Sequence, residues 1–345
     1  MIIANGASIA VETIEIPPNA CNVVCGIADR APVTFKEFLK QSIRNNSLFN
    51  QQGLINLRGV IERQWVLRKQ TLAPIEPGID SAFLRTLDHH LDVIARIGPR
   101  ILRAYPLYLM WLADRAKQLC MRFPSIQCII PYGGLASPKM INRVETGFRA
   151  AFRNVYGTSE LGIIAASCGQ SEGMHVFDDL FLARVEQVVP HESNGLLLLT
   201  DLSNTVMPLI NYQVGDVGKL EYDACPCGRK SPRLHIQGRL QECLISDNQL
   251  ITASQIADCM FEDMAIANGR VDEVSSGCFE AYIVAMPGSE HKPDLDAWEH
   301  RFRKLLGKRL KRLKSRFIPY IVPESSGKYL MHRPFANRSK LMFTA

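Results

Sequence analysis

Long apolar runs are absent from this 345-residue chain, and none approaches the ~20 residues that a membrane-spanning helix needs. Residues 1–16 also lack a basic stretch followed by a long apolar core, so a secretory signal is not expected. There are no internal repeats and no low-complexity tracts. With 47% hydrophobic and 21% charged residues, the composition is that of an ordinary globular protein. We expect a cytoplasmic protein of about two or three domains that does not bind a membrane.

Cysteine is well represented, with ten residues in the chain. In a chain without an export signal, this number favours reduced thiols or a metal site over disulfides. The net charge of +6 is modest, and it is weak support for nucleic-acid binding, which we do not expect.

The pattern of apolar residues in the central part of the chain predicts alternating helices and strands. Residues 98–119 have helical spacing, whereas residues 125–131 form a short apolar run bounded by prolines, which indicates a buried strand. Ser137 and Pro138 are typical of the start of a helix, and a second strand is predicted at residues 153–156. A strand, a helix and a second strand form a βαβ unit, so we predict an α/β fold.

Other patterns divide the rest of the chain. A capping box predicts a short helix over residues 34–43. Residues 181–189 and 196–202 flank a loop of turn-forming residues and indicate a β-hairpin within a β-rich layer. Mixed helix and strand then returns, so we place a domain boundary between residues 1–238 and residues 239–345.

Three short motifs lie in order along the chain. Tyr156-Gly157-Thr158-Ser159-Glu160 comes at the end of a predicted strand, where α/β folds place their ligands. Tyr212-Gln213-Val214-Gly215-Asp216 ends in a carboxylate that could accept hydrogen bonds from two hydroxyls. Ser326-Gly327-Lys328 places a cation in a flexible loop. Taken singly, each motif has a simpler interpretation as a turn or an exposed loop, but the three in this order are more specific.

In this order and spacing, the three motifs resemble the signature of the adenylate-forming enzymes, which activate carboxylic acids with ATP. A narrower resemblance, to the phenylacetate–coenzyme A ligase branch, covers residues 95–335 and is most specific over residues 154–257. It rests on Gly173-Met174-His175-Val176, Met207-Pro208-Leu209-Ile210, Cys225-Pro226-Cys227-Gly228-Arg229, Pro232-Arg233, Gly238-Arg239 and Ser254-Gln255-Ile256. The resemblance implies an adenylate-forming enzyme fold: a large amino-terminal domain with a β-rich layer, here incomplete at its start, and a small, mobile α+β carboxy-terminal domain.

The resemblance also implies roles for individual residues. Tyr156 would stack on adenine, and Asp216 and Arg239 would bind the ribose. Glu160 would hold Mg²⁺ near the phosphates, and Lys328 would offset the repulsion between a carboxylate and the α-phosphate. The substrates implied are a small carboxylic acid, ATP, with AMP as its product, and a thiol of coenzyme A or a carrier. The predicted nucleotide-binding residues are Tyr156, Gly157, Thr158, Ser159, Asp216 and Arg239.

The same resemblance implies that three cysteines and one histidine form a metal site. Cys168, His175, Cys225 and Cys227 are a set that suits tetrahedral Zn²⁺, and relatives that resemble this chain can carry zinc at these positions. A structural Zn²⁺ is therefore implied. By spacing alone the four residues could be unrelated, and the remaining cysteines are expected to be buried hydrophobes.

The chain departs from the family pattern where ATP and the thiol are handled. Its 345 residues contain no Ser/Thr/Gly-rich phosphate loop, whose backbone N–H groups would hold the β- and γ-phosphates. Gln241-Glu242 replaces a pair of aspartates at the hinge, and Asn248 replaces a glycine. Asn211, Gln213 and Val214 stand where arginine, arginine and threonine are usual. Two interpretations remain open: an acid–thiol ligase, or a catalytically impaired homologue, truncated at its start, that keeps a zinc-stabilised nucleotide-binding scaffold.

One basic run, residues 301–316, contains nine basic residues and no acid. Its apolar residues have helical spacing and predict one amphipathic helix. A solvated helix surface is the simpler interpretation. The alternative is attraction of a polyanion such as coenzyme A or nucleic acid, and a basic nucleic-acid-binding module is a third hypothesis for the chain.

Overall fold

The structure, a computed structural model, describes residues 83–246, 248–324 and 328–335, together with the backbone alone of residues 13–16, 69–71 and 81–82. The helix predicted over residues 34–43 and the Ser326-Gly327 part of the third motif lie outside these residues. Within the described part of the chain, no helix is both long enough and apolar enough to cross a membrane.

The first sheet is parallel and has five strands in the order β2-β1-β3-β4-β5. Its strands are β1 (Thr13–Ile16), β2 (Lys69–Thr71), β3 (Ile101–Ala104), β4 (Cys128–Pro131) and β5 (Ala151–Phe152). Three helices accompany it, α1 (Ser81–Ile97), α2 (Pro106–Gln118) and α3 (Pro138–Phe148). Strands β4 and β5 pair in parallel through Cys128 and Ala151, with α3 between them in the chain. This arrangement is a βαβ unit and confirms the α/β fold, but its second strand is at residues 151–152 and not at the predicted residues 153–156, which lead into the second sheet.

The prediction of one helix over residues 98–119 is wrong in its first part, which forms β3. The reason is Pro106, which has no backbone N–H and disfavours a helical conformation in the residue before it. Tyr105 is accordingly extended, with φ −60° and ψ 137°, and α2 begins at Pro106. Ser137, the residue before Pro138 at the start of α3, is also extended, but its side chain makes no capping hydrogen bond.

The second sheet is antiparallel, with seven strands in the order β6-β7-β8-β12-β11-β10-β9. Its strands are β6 (Val155–Thr158), β7 (Gly162–Ala166), β8 (Met174–Val176), β9 (Phe181–Gln187), β10 (Gly195–Asp201), β11 (Tyr212–Glu221) and β12 (Arg233–Arg239). Strands β9 and β10 form the predicted hairpin, and Phe181 is opposite Asp201. The strand predicted at residues 153–156 corresponds to β6, so the chain passes from the first sheet to the second just after β5.

The remaining elements begin with a 3-10 turn at Leu240–Glu242 and a small hairpin of β13 (Leu244–Ser246) and β14 (Gln249–Ile251). Asn248, between these two strands, has φ 61°, a left-handed conformation that asparagine tolerates. They are followed by α4 (Ala253–Phe261), β15 (Ile266–Ser275), β16 (Cys278–Ala285), α5 (Leu295–Leu306), β17 (Arg312–Phe317) and β18 (His332–Arg333). Strands β15 to β18 form a four-stranded sheet in the order β17-β16-β15-β18.

The basic run at residues 301–316 is not one amphipathic helix, as its apolar spacing predicted. Helix α5 ends before Gly307, which has φ 53° and interrupts the helical backbone. The second half of the run is strand β17, which pairs in parallel with β16. In β17 the side chain of Leu313 is buried, while Arg312, Lys314 and Arg316 are exposed, as strand alternation requires.

The largest hydrophobic cluster joins the helices of the first sheet to the carboxy-terminal elements. Trp111 of α2 donates a hydrogen bond of 2.6 Å from Nε1 to the carbonyl oxygen of Ala267 in β15. Arg143 of α3 forms a buried ion pair with Asp114 of α2 and donates to the carbonyl oxygen of Ile266 at 3.2 Å. Burial raises the pKa of the Asp114 carboxyl, although Arg143 acts in the opposite direction. Both contacts fix β15 against α2 and α3.

Candidate functional site

A cavity of about 450 Å³ opens at the carboxyl ends of β3 and β4, where parallel sheets place their ligands. Residues of β6, β11 and β12 form further walls, and residues 328–331 of the carboxy-terminal segment close it. Five of the residues singled out in the sequence line this cavity together. They are Tyr156, Gly157, Asp216, Arg239 and Lys328.

Asp216 is at the centre of the polar wall. It is buried, and its Oδ2 accepts a hydrogen bond of 2.7 Å from the Tyr156 hydroxyl. Its Oδ1 lies 3.0 Å from Nε of Arg239. Burial raises the pKa of the Asp216 carboxyl, while the Tyr156 hydroxyl and the charges of Arg239 and Lys328 act in the opposite direction. Each carboxylate oxygen keeps a further lone pair, so Asp216 can still accept hydrogen bonds from a ligand.

Strand register explains why these side chains meet. Asp216 of β11 and Arg239 of β12 are directly opposite each other in the antiparallel ladder. Arg239 is held further by a 2.6 Å hydrogen bond from NH1 to the carbonyl oxygen of Val214. Gly157 of β6 has a different role, since a Cβ at this position would lie 2.3 Å from the carbonyl oxygen of Gly162. Only glycine lets β6 approach β7 so closely at the cavity wall.

The last three residues of the first motif lie beside the cavity and are not part of its wall. Thr158 ends β6, and its Oγ1 accepts a hydrogen bond of 3.1 Å from the backbone N–H of Leu161, which shapes the turn that follows. Ser159 and Glu160 are exposed in this turn. The charge of Glu160 is close enough to act on Asp216, whose pKa it raises.

Sequence reasoning did not assign Tyr105, Glu242 or Tyr329 to the site, yet all three line the cavity. Tyr105 is within the helix predicted over residues 98–119, but in the structure it follows β3 and packs against Gly134, where a Cβ would lie 2.4 Å from the tyrosine ring. Glu242 was noted only as a replacement for a family aspartate. The sequence signal that could have identified Glu242 is its position, since it is a carboxylate three residues after Arg239, which ends a strand that forms the site.

A second cluster lies at the other ends of β11 and β12. The ligand atoms of Cys168, His175, Cys225 and Cys227 all lie within 4.8 Å of one another. Cys168 follows β7, His175 is in β8, and the other two are in the loop between β11 and β12. The structure therefore brings together the four residues that the sequence proposed as one metal site.

Two separations within this cluster are close to those between the ligands of a tetrahedral zinc ion. Around Zn²⁺, with Zn–S bonds of ~2.3 Å and Zn–N bonds of ~2.0 Å, neighbouring ligand atoms are ~3.5–3.8 Å apart. The Sγ atoms of Cys168 and Cys225 are 3.6 Å apart, and Sγ of Cys227 is 3.3 Å from Nε2 of His175. Nδ1 of His175 lies 3.1 Å from the carbonyl oxygen of Ser231, a partner that orients the ring of a metal-binding histidine.

Hydrogen-bond donors surround the sulfur atoms of the cluster. Oγ of Ser171 lies 2.9 Å from Sγ of Cys225, and it is the main cause that lowers the pKa of this thiol to about 7. The backbone N–H of Gln170 donates to Sγ of Cys168 at 3.4 Å. A lowered thiol pKa favours the thiolate, which is the form that binds metal. All eight cysteines of the described residues are free of disulfides.

Comparison with known proteins gives a relative by sequence and several solved structures of similar fold. No protein-family model matches the chain. Over 186 residues the chain is 26% identical to a phenylacetate-coenzyme A ligase from Thermus thermophilus. This match covers 51% of the present chain and 40% of the ligase, so the chain spans well under two thirds of that relative.

Solved structures share the fold. One is a 2-hydroxyisobutyryl-CoA ligase in the postadenylation state, in complex with R3-HIB-AMP. Its TM-score is 0.62 at 19% identity, and the match covers 83% of this chain and 64% of the ligase chain. An anthranilate CoA ligase in complex with anthranoyl-AMP has a TM-score of 0.53 at 14% identity, covering 75% and 52%. These similarities confirm the predicted adenylate-forming enzyme fold.

Proposed function

We propose that the chain, which is 26% identical to a phenylacetate-coenzyme A ligase over 186 residues and shares the fold of a 2-hydroxyisobutyryl-CoA ligase, is a phenylacetate–coenzyme A ligase-like member of the adenylate-forming superfamily that activates a small carboxylic acid with ATP. The product is an acyl-adenylate, and a thiol of coenzyme A or of a carrier then takes the acyl group. The proposal rests chiefly on one observation: Tyr156, Asp216, Arg239 and Lys328 come from distant parts of the chain and line one cavity.

Each proposed role follows from the position of a group in this cavity. Asp216 accepts the ribose hydroxyls, and Arg239 holds the Asp216 carboxylate in place. Tyr156 offers its ring to adenine while its hydroxyl remains bonded to Asp216. Gly157, Thr158 and Ser159 shape the strand end and the turn beside the nucleotide. Glu160, exposed in this turn, holds Mg²⁺, which neutralises phosphate charge when it is bound.

The chemistry needs a cation between two anions. A carboxylate oxygen of the acid attacks the α-phosphorus of ATP, the new O–P bond forms, and pyrophosphate leaves with the electron pair of the broken bond. Lys328 lies at the cavity wall, where its charge acts on Asp216 and Glu242, so its ammonium is in a position to neutralise the reacting oxygens. In the second step the sulfur atom of the thiol attacks the acyl carbon, and AMP leaves.

The acid occupies the apolar part of the same cavity. The wall of this part includes Leu107, Leu135, Met140 and Ile236. None of these residues is on β11, which carries Asp216, or in the segment that carries Lys328. Such a wall suits the apolar body of an aryl or short acyl acid. The same proposal includes two domains, residues 1–238 and residues 239–345. The carboxy-terminal domain is mobile and rotates about a hinge at Gln241.

We expect Asp216→Ala to weaken AMP binding by ~1–3 kcal/mol, which is ~5–150-fold in Kd, because charged hydrogen bonds to the ribose are lost. Calorimetric titration of both proteins with AMP measures this change. Asp179→Ala, which removes an exposed carboxylate outside the cavity, is the matched control. Equal AMP affinities of the Asp216 variant and the parent would remove Asp216 from the nucleotide site.

Acid-dependent exchange of pyrophosphate with ATP, across a panel of aryl and short aliphatic acids, tests the function itself. We expect exchange far slower than the ~10 s⁻¹ of a typical enzyme, because no Ser/Thr/Gly-rich loop is present and each missing donor costs ~10²–10³ in rate. AMP binding without any acid-dependent exchange would instead support the impaired nucleotide-binding homologue. Absence of both would contradict the proposed function.

A further inference from the structure

The segment that carries Lys328 is held by two side chains from the opposite wall of the cavity. The hydroxyl oxygen of Tyr105 accepts a hydrogen bond of 3.2 Å from the backbone N–H of Tyr329. Oε2 of Glu242 accepts one of 3.1 Å from the backbone N–H of Met331. These two acceptors bind alternate backbone N–H groups immediately after Lys328, so together they fix the direction of the chain at this residue.

Further contacts make the same segment a link between the cavity and the carboxy-terminal sheet. The carbonyl oxygen of Met331 accepts a hydrogen bond of 3.0 Å from the backbone N–H of Val271 in β15. The ring of Tyr329 packs edge-on against Trp111, with ring centroids 5.9 Å apart. Met331 is thus bonded to Glu242 on one side and to β15 on the other, and a change at Glu242 acts directly on the segment.

Glu242 is a buried carboxyl group, 9% exposed, and charged groups from three directions face it. Arg239 of β12 and Lys328 of the segment favour its ionised form, whereas Asp216 of β11 opposes it. Tyr105 and Cys243 also lie near it, and burial raises the pKa of both, so both are neutral at ordinary pH. The environment of Glu242 therefore contains two cations and one anion.

We propose that Glu242 is a positioning residue that, with Tyr105, forms a latch holding residues 328–331 closed over the cavity, and that this latch loosens when Glu242 loses its proton. The contribution of the latch to catalysis, which is to position Lys328, rests on the proposed function. The latch itself is a property of the fold and can be measured without any turnover.

The direction of the pH effect follows from the burial of Glu242. Burial raises the pKa of this carboxyl to about 7, while the Met331 N–H and the two cations act in the opposite direction. In an open segment the carboxyl is solvated and has its ordinary, lower pKa. The closed state therefore binds a proton more tightly than the open state. Closure is favoured below the ordinary pKa and is progressively lost as pH rises through about 7.

Hydrogen exchange of the segment tests this latch in the intact chain. Amide protection of residues 328–333, corrected for the intrinsic pH dependence of exchange, should fall by up to ~10-fold per pH unit as pH rises from about 4.5 to about 7, and should be constant above this range, because opening releases one proton only between the two pKa values. In Glu242→Gln the side chain still accepts the Met331 N–H but cannot ionise, so protection should be independent of pH over this range. Equal pH slopes in the two proteins would overturn the proposal.

Two more variants keep the test decisive. Tyr105→Phe removes only the other acceptor, and it should lower the protection of Tyr329 at every pH while leaving the pH range of the change as in the parent. Glu186→Gln, the same change at an exposed position of β9, should behave as the parent. A parent protein whose protection does not change between pH 4.5 and 7 would overturn the latch, even if Glu242→Gln failed to fold. Failure of pyrophosphate exchange would bear on the proposed function alone.

Discussion

Removing metal from the cluster of Cys168, His175, Cys225 and Cys227 should lower the Tm of this protein by roughly 10 °C. Structural zinc contributes about 10–16 kcal/mol to the folding of zinc-finger peptides. Even a third of that value, ~4 kcal/mol, corresponds to a shift of roughly 8–16 °C, at ~2–4 °C per kcal/mol for a large domain. Elemental analysis of protein purified without added metal should find about one zinc per chain, and thermal unfolding with and without a chelator measures the shift.

Two variants separate metal loss from cysteine loss. Cys227→Ser should reproduce the effect of the chelator, because it removes a ligand from a closed four-residue set. Cys120→Ser changes an exposed cysteine outside the cluster and should leave both zinc content and Tm unchanged. A zinc content near zero, with the same Tm in the presence of chelator, would show that the four side chains meet without holding a metal.

Substituting Lys328 by alanine should slow acid-dependent pyrophosphate exchange by ~10²–10³-fold while leaving AMP affinity nearly unchanged. The loss is of the size expected for one group that stabilises developing charge. AMP affinity should be preserved because the residues proposed to contact the ribose and the base lie on β6, β11 and β12, whereas Lys328 lies in another segment of the cavity wall. Exchange kinetics and AMP titration on the same preparation provide both measurements.

Lys308→Ala is the control, since Lys308 is an exposed lysine outside the cavity, and it should exchange pyrophosphate at the parent rate. Unchanged exchange in Lys328→Ala would exclude this lysine from the reaction. A variant that loses AMP binding as strongly as exchange would instead show that Lys328 acts in nucleotide binding, against the role proposed for it.

The sequence alone predicted those features that depend on local residue order. Turn-forming residues between two apolar runs were sufficient to predict the β9–β10 hairpin, and Ser137-Pro138 marked the start of α3. The motifs that contain Tyr156, Asp216 and Lys328 indicated the family, because their residue types and order are specific even without coordinates.

Tertiary structure decided what local periodicity cannot encode. Residues 101–104 and 312–317 have helical spacing of apolar residues, yet each pairs with a neighbouring strand, because sheet pairing and burial are set by chain segments far away in sequence. The same reason explains Glu242: nothing in its neighbours along the chain shows that Met331, far away in sequence, supplies its hydrogen bond. The sequence determined which chemical groups are present, and the packing of β3, β12 and residues 328–331 determined which of them share the cavity.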